Sequence, residues 1–196
     1  MKNLKLFLAS CLAIACFSIQ SANAQKGGVM LYGSFNYHET EAGHQLSAAP
    51  LGVGYFFNDN MNVGLNYGFN TSKNKALDFT DHFHEVGPFY SNTWSLGKHF
   101  NLIGQVEAHY IWGNEHVVNA ANVMADGSYN GYLLRAYPLV GISLGKGWAL
   151  KAKVAELSYK KKHSKDASIA NDHEIITGIN GSTVGLGISK NLFIKG

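Results

Sequence analysis

The sequence carries little charge for its length. Asp, Glu, Lys and Arg make up 15% of the 196 residues, against about 25% in a typical soluble domain. The mean hydropathy of −0.07 argues against a bundle of membrane-spanning helices, each of which needs about 20 apolar residues. Proline is scarce, with three residues, while glycine (22) and aromatic residues (12%) are frequent. This composition excludes a disordered or Pro-rich chain.

The N-terminal segment has the pattern of a secretory signal peptide. Two lysines precede an apolar run at 6–17, and residues 21–24 end in Ala-Asn-Ala, which is typical of a cleavage site. The run is shorter than the roughly 20 residues of a spanning helix. We therefore expect a signal peptide at 1–24 and one mature domain at 25–196.

Both cysteines of the chain, Cys11 and Cys16, fall within that segment. Cleavage after Ala24 would leave no cysteine, which excludes disulfides, thiolate metal sites and a cysteine nucleophile. It would also lower the formal charge from +3 to +1, because two lysines are removed, so no general attraction to nucleic acid is expected. The alternative is a lipid anchor at Cys16.

Eight stretches of the mature chain alternate apolar and polar residues with a period of two, as half-buried strands do. The predicted strands lie at about 28–38, 46–57, 61–71, 83–94, 100–112, 132–144, 148–159 and 177–193. Short connections at 58–60, 95–99 and 145–147 alternate with longer ones at 39–45, 72–82, 113–131 and 160–176. This pattern predicts an all-β, eight-stranded antiparallel up-and-down transmembrane β-barrel, with short turns at one end and longer loops at the other.

Aromatic residues stand at the ends of the apolar faces, which are nearly uncharged. They are Tyr55, Phe57, Trp94, Phe100 and Trp148 near the short turns, and Tyr110, Trp112, Tyr132 and Tyr159 near the long loops. Two aromatic girdles around an aliphatic band are typical of a barrel in a membrane, where closure satisfies the backbone hydrogen-bonding groups. The alternative is a soluble barrel with its apolar faces turned inward.

Three prolines lie inside or near predicted strands, at Pro50, Pro88 and Pro138. Proline has no N–H to donate to a neighbouring strand. We therefore expect each to interrupt a ladder or to mark a bulge.

Five charged residues fall on the polar faces and are predicted to point into the lumen: Glu85, Glu107, Arg135, Lys151 and Lys153. The interior of an eight-stranded barrel is just wide enough for side chains, and ions buried there must pair. We expect a salt-bridge network that fills the lumen, with Arg135 bridging Glu85 and Glu107 because the three lie at comparable heights. A narrow ion path along the same residues is the alternative.

The histidines do not predict a metal site or an active site. His82 and His84 share a strand face, and His163 and His173 lie near acidic residues that include Asp166, but zinc needs three or four convergent ligands. No strand offers the adjacent nucleophile and base that hydrolytic catalysis needs. We expect no enzyme activity, no metal and no cofactor.

Several segments resemble those of a known family of membrane barrels. They are Ala-Asn-Ala-Gln at 22–25, the segments 51–65 and 86–90, and Val-Gly-Leu-Gly-Ile at 184–188. The mature chain resembles the small outer-membrane β-barrels of OmpA/OmpX type, as a free-standing barrel without a periplasmic domain. One departure is that Phe193 is followed by Ile-Lys-Gly, whereas such barrels often end on the aromatic residue that the assembly machinery recognises.

The resemblance implies a location in the outer membrane of a Gram-negative envelope, contact with lipid and lipopolysaccharide, and insertion by the barrel-assembly machinery. The basic run of the last predicted loop is a candidate contact for lipopolysaccharide phosphates and comprises Lys160, Lys161, Lys162 and Lys165. We expect a monomer with a structural or surface-interaction role: envelope integrity, adhesion or lipid contact through the extracellular loops. The alternatives are a narrow porin-like channel and a lipid-modifying barrel enzyme.

Overall fold

The computed structural model describes residues 26–39, 43–74, 79–118, 124–165, 172–178 and 185–193, and its regular structure is entirely β. The strand segments are β1 Gly28–Gly33, β2 Phe35–Glu39, β3 Gly43–Phe56, β4 Met61–Asn74, β5 Phe79–Ser95, β6 Phe100–Val118, β7 Met124–Gly145, β8 Trp148–Lys153, β9 Glu156–Ser164, β10 Asp172–Gly178 and β11 Gly185–Phe193. No helix within these ranges is long and apolar enough to cross a membrane. The predicted signal peptide, with both cysteines, lies outside the described residues.

Eight of the segments close into a ring. β7 pairs with β8, β8 with β11, β11 with β1, and β1 with β3, and β3 to β7 pair in chain order. Every pairing is antiparallel. β2 extends β1 along β3, and β9 extends β8 along β7, while β10 pairs with β9 ahead of β11. The eleven segments therefore form eight barrel strands, which confirms the predicted closed antiparallel β-barrel.

The short connections predicted from the sequence are confirmed to within one residue at each end. We call this end of the barrel the short-turn end. In the turn between β7 and β8, Lys146 and Gly147 have φ values of 55° and 81°, as a two-residue type I′ hairpin turn requires. Glycine adopts such values without steric cost, whereas lysine rarely does.

The long connections are shorter than predicted, because the strands extend into them. β6 and β7 pair continuously from Phe100 with Ile142 to Val118 with Met124, so most of the predicted loop at 113–131 is strand. β9 likewise runs to Ser164, so the predicted loop at 160–176 is wrong at its start. These segments are rich in polar residues and pair through their backbones without a continuous apolar face. We call this end of the barrel the long-loop end.

Each proline interrupts a ladder or lies at a bulge, as expected. The register of β3 on β4 shifts between Ala48 and Leu51, around Pro50. The ladder between β5 and β6 omits Gly87 and Pro88. Pro138 lies where β7 changes its partner from β9 to β8.

Burial is inverted relative to a soluble domain. The buried polar side chains are Asn62, Asn66, Glu85, Ser91, Gln105, Glu107, His109, Glu156, Ser158 and Ser189. Large apolar side chains cover the outer surface, where Leu65 is 58% exposed and Val106 is 50% exposed. Inside, Met30, Phe56 and Phe89 form one small apolar cluster, and Ile103, Tyr137 and Leu139 form another. The alternative arrangement, with the apolar faces turned inward, is therefore not adopted.

Candidate functional site in the barrel lumen

A layer of hydrogen-bonded side chains crosses the lumen, and we call it the polar plug. It consists of Tyr32, Asn66, Glu85, Gln105, Glu107, His109, Arg135 and Tyr137. Residues from β1, β4, β5, β6 and β7 meet in this layer. β6 supplies three of them at alternate positions, because every second side chain of a strand points to the same face.

Arg135 joins the two buried carboxylates of the polar plug. Its Nη2 donates to Glu85 Oε1 at 2.7 Å, and its Nε donates to Glu107 Oε2 at 3.0 Å. The bridge predicted from the sequence is therefore confirmed. Arg135 is also the only arginine of the chain. A planar guanidinium can address two carboxylates at once, which the ammonium of lysine does less well.

Glu107 is the most heavily hydrogen-bonded acceptor of the polar plug. Its Oε1 accepts from Asn66 Nδ2 at 2.5 Å, from Gln105 Nε2 at 2.7 Å and from the Tyr137 hydroxyl at 2.5 Å. Its Oε2 accepts from Arg135. These donors replace the water that a carboxylate loses on burial. Tyr32 extends the layer to β1, since its hydroxyl donates to Asn66 and accepts from Gln105 Nε2.

His109 lies between the two carboxylates. Its Nδ1 is 3.2 Å from Arg135 Nη2 and 3.4 Å from Glu85 Oε2, while its Nε2 is 3.7 Å from Glu107 Oε2. Gly87 on β5 leaves room for this ring: a Cβ there would come within 2.0 Å of the Ala108 carbonyl oxygen and 2.6 Å of His109 Cδ2. His109 shares the inward face of Glu107, but nothing in the sequence distinguishes it from the other polar residues of that face.

Lys151 and Lys153 point into the lumen as predicted, but neither contacts Arg135. Lys153 pairs with Glu156 and lies over the Tyr137 ring at 5.5 Å from its centroid. Ser158 is the residue that pairs with Arg135, and Lys151 precedes Ser158 by seven positions along the chain. The prediction of one network of five charges is therefore wrong for Lys151, because the stagger between neighbouring strands separates it from Arg135.

Two cavities that described residues line flank the polar plug. The upper vestibule, toward the long-loop end, has a volume of about 250 Å³ and is lined by Glu85, Arg135, Glu156, Lys160 and Glu174 among others. The lower vestibule, toward the short-turn end, has a volume of about 440 Å³. Its polar lining includes Asn62, Ser143, Lys151, Ser189 and Asn191, with Asp59 and Lys98 at its mouth. The polar plug separates the two vestibules.

The predicted girdle residues lie on the outer surface. Those most exposed are Tyr55, Phe57, Trp94, Phe100, Tyr110 and Tyr132. Toward the long-loop end, Trp112 stacks on Tyr110 with 5.8 Å between ring centroids, and Tyr159 contacts Tyr132 at 6.0 Å. Trp148, toward the short-turn end, lies beneath the ammonium of Lys190.

His84 belongs to the same outer aromatic surface. Its ring stacks on Trp112 with 5.4 Å between centroids, and its Nδ1 lies 2.9 Å from the Tyr67 hydroxyl. From the sequence, His84 is a candidate for metal binding only, with no expected place in the aromatic surface. Within the described part of the chain, no group of three or more His, Cys, Asp or Glu side chains is arranged to hold a metal ion. Asp166 lies outside that part.

The basic run does not form one surface. Lys160, Lys161 and Lys162 lie in β9, so they alternate between its two faces, and Lys165 follows in a bend. Lys160 pairs with Glu174 of β10, and Lys162 lies over Tyr129 at 4.6 Å from the ring centroid. The prediction that these lysines share a loop is wrong, because the polar stretch continues the barrel strand. Two of the four candidate phosphate contacts therefore have partners inside the barrel.

The fold and the lumen define a closed eight-stranded antiparallel β-barrel with a polar interior and an apolar exterior. No protein-family model matches the sequence, and no curated protein matches it.

Proposed function

We propose that the protein is an outer-membrane β-barrel with a closed lumen, and that it serves a structural and surface-interaction role in the envelope. The observation that carries this proposal is the inverted distribution of side chains. Buried Glu, Gln, Asn and His residues lie inside together with two small apolar clusters, and Leu, Val, Tyr and Trp residues cover the outside. A large exposed apolar surface is costly in water, whereas in a bilayer it is the surface that lipid requires.

The dimensions of the outer surface support insertion. On β5, ten residues separate Trp94 from His84, which corresponds to a height of about 25 Å at about 3.3 Å per residue and a tilt near 40°. The apolar band of membrane barrels is about 25 Å tall. Lys190, on this surface, reaches the Lys146 carbonyl in the turn of the short-turn end, as a lysine does when its charge extends to the interface.

The polar plug supports a closed lumen. It links five of the eight barrel strands through charged and uncharged hydrogen bonds, and it lies between the two vestibules. Such a layer favours a structural barrel over a channel, because an ion would have to break several of these bonds to pass.

The ribbon formed by the ends of β6 and β7 supports a surface role. Within the described residues, β5 pairs with β6 only as far as Asn114, and β9 pairs with β7 only as far as Tyr129. β6 and β7 remain paired with each other up to Val118 and Met124. Six residues beyond Trp112 correspond to about 15 Å, so this ribbon would project beyond the lipid headgroups.

Insertion is testable by fluorescence quenching with brominated phospholipids. Variants that keep only Trp94 or only Trp112 should be quenched most by bromine placed near the headgroups. A matched variant that carries Leu65→Trp in a background without other tryptophans should be quenched most by bromine placed deep in the acyl chains. Absence of quenching in all three variants, after refolding with vesicles, contradicts the membrane proposal.

The surface role is tested separately, in cells. Deleting residues 115–127, which include the described end of the ribbon and the segment that joins its strands in the sequence, should leave the heat-dependent gel mobility of a folded barrel unchanged while altering adhesion or detergent resistance of the cells. If cells with the shortened protein and cells without any protein both behave as wild type, the structural and surface role is wrong.

A further inference from the structure

We propose that the lower vestibule binds a small organic carboxylate that also carries a hydrogen-bond donor, with Lys151 as the anchoring charge. The lower vestibule is the larger of the two cavities beside the polar plug and opens between the short turns. Its volume of about 440 Å³ falls within the range of small-molecule sites, which is about 300–1,000 Å³. The proposal does not depend on insertion of the barrel into a membrane.

Lys151 has no counter-ion among the residues that the structure describes. Its Nζ lies 3.1 Å from Met30 Sδ and 5.4 Å from the centroid of the Tyr32 ring. A thioether is a weak acceptor that carries no charge. Among the described residues no carboxylate forms an ion pair with Lys151, whereas Arg135, Lys153 and Lys160 each have one. An ammonium at the inner end of a cavity therefore favours an anion there.

Two amide oxygens in the same cavity also accept no hydrogen bond from the described part of the chain. Asn62 is 1% exposed, and its Nδ2 donates to Ser91 Oγ at 2.7 Å, while its Oδ1 accepts from no described protein group. Asn191 Oδ1 is buried and likewise accepts from none. A buried acceptor without a donor is unfavourable, because it has lost its hydrogen bonds to water. The cavity thus offers one cation and two acceptors, which suit a carboxylate that also bears a hydroxyl or an ammonium group.

The inner wall adds an apolar surface. Met30, Phe56 and Ile103 line the cavity together with the polar groups. A ligand with an apolar side group can pack against them while its carboxylate reaches Lys151. Lys98 at the mouth adds a second positive charge along the entry path, although Asp59 lies beside it. A hydroxycarboxylate with an apolar substituent meets all of these features.

The upper vestibule does not share these properties. The cations that line it form ion pairs with carboxylates: Arg135 pairs with Glu85, and Lys160 pairs with Glu174. It is also smaller, at about 250 Å³. It therefore provides an internal comparison for the role of an unpaired ammonium.

The ligand class is tested by calorimetry on the full barrel refolded in detergent micelles, with three probes of similar size. 3-Phenyllactate should give saturable binding. 3-Phenyllactamide, which lacks the charge, should bind at least about tenfold more weakly. 3-Phenylpropionate, which lacks the hydroxyl, should bind about fivefold to tenfold more weakly, because one of the amide acceptors again lacks a donor. Absence of saturable heat with 3-phenyllactate, or equal binding of its amide, overturns the proposal.

The anchoring role is tested with Lys151→Met and a matched control. Lys151→Met should weaken the binding of 3-phenyllactate at least about tenfold. Lys160→Met, which removes an ammonium group from the upper vestibule instead, should leave the binding of 3-phenyllactate unchanged. Equal binding to Lys151→Met and the wild-type protein contradicts the assignment. Heat-dependent gel mobility establishes that both variants are folded, and if Lys151→Met does not fold, the comparison of carboxylate with amide on the wild-type barrel decides.

Discussion

Substitution of the single arginine should destabilise the barrel strongly. Arg135→Met removes hydrogen bonds to Glu85 and Glu107, whose side chains are 1% and 0% exposed. Each hydrogen bond to a charged group is worth about 1.5–3 kcal/mol, and removing one partner of a buried ion pair costs about 3–5 kcal/mol because a charge stays buried without compensation. We expect the free energy of unfolding to fall by about 3–5 kcal/mol.

Two further variants separate the guanidinium from its charge. Arg135→Lys keeps the charge but loses the planar fork, so we expect an intermediate loss of about 1–3 kcal/mol. Combining Arg135→Met with Glu85→Gln and Glu107→Gln removes all three charges. This triple variant should be more stable than Arg135→Met alone, because no unpaired ion remains in the lumen.

The assay is urea-induced unfolding of the refolded barrel in vesicles, followed by tryptophan fluorescence and extrapolated linearly to water. Lys161→Met serves as the control, because it lies on the outer face at the end of the aromatic surface, and we expect a change within about 0.5 kcal/mol. If Arg135→Met changes stability as little as this control, or if the triple variant is as unstable as the single one, the polar plug does not stabilise the barrel.

Three further predictions concern the backbone and the outer surface. Gly87→Ala should lower the free energy of unfolding by more than about 2 kcal/mol, because its Cβ would clash with the Ala108 oxygen. Gly185→Ala should leave the free energy of unfolding nearly unchanged in the same urea titration, because its Cβ would meet nothing within 4 Å. Lys146→Asn should raise the unfolding free energy by about 0.5–1 kcal/mol, because asparagine tolerates positive φ, and a decrease would contradict the type I′ assignment. Val106→Arg should lower the free energy of unfolding in vesicles by about 2–4 kcal/mol, whereas on the outer surface of a water-soluble barrel it should change it little. An unchanged yield of folding into vesicles therefore counts against contact of Val106 with lipid.

The barrel was largely predictable, because alternation is a local property of the sequence. Val63 already differs in face from its neighbours Asn62 and Gly64 by position alone. The ends of the strands were not predictable in the same way. Val118 and Met124 are paired across the β6–β7 hairpin, and such pairing depends on the backbone of a neighbouring strand rather than on an apolar face.

The polar plug was predictable only in its charged members. Glu85, Glu107 and Arg135 share a face and a height that can be counted from the short turns, and a buried charge calls for a partner. Asn66 and Tyr137 contact Glu107 with equal directness, but many uncharged residues share the inward face. Which of these uncharged residues contact Glu107 depends on the stagger of the barrel strands, and the stagger cannot be read from the sequence.

The stagger also explains the error over Lys151. Lys151 and Lys153 share the inward face of β8, and the prediction placed both in one network with Arg135. In the barrel, Lys151 lies beside Met30 of β1, below the polar plug. The same displacement leaves Lys151 without a carboxylate partner among the described residues, and we propose it as the anchoring charge of the ligand site.

The most direct measurement of the central claim is the conductance of the refolded protein in planar lipid bilayers. If the polar plug closes an inserted barrel, the wild-type protein should give no steady conductance. A variant with Glu85→Ala, Glu107→Ala and Arg135→Ala should join the two vestibules and conduct, provided that its gel mobility shows a folded barrel. Steady open channels in the wild-type protein, with a conductance that this triple substitution leaves unchanged, would contradict the account.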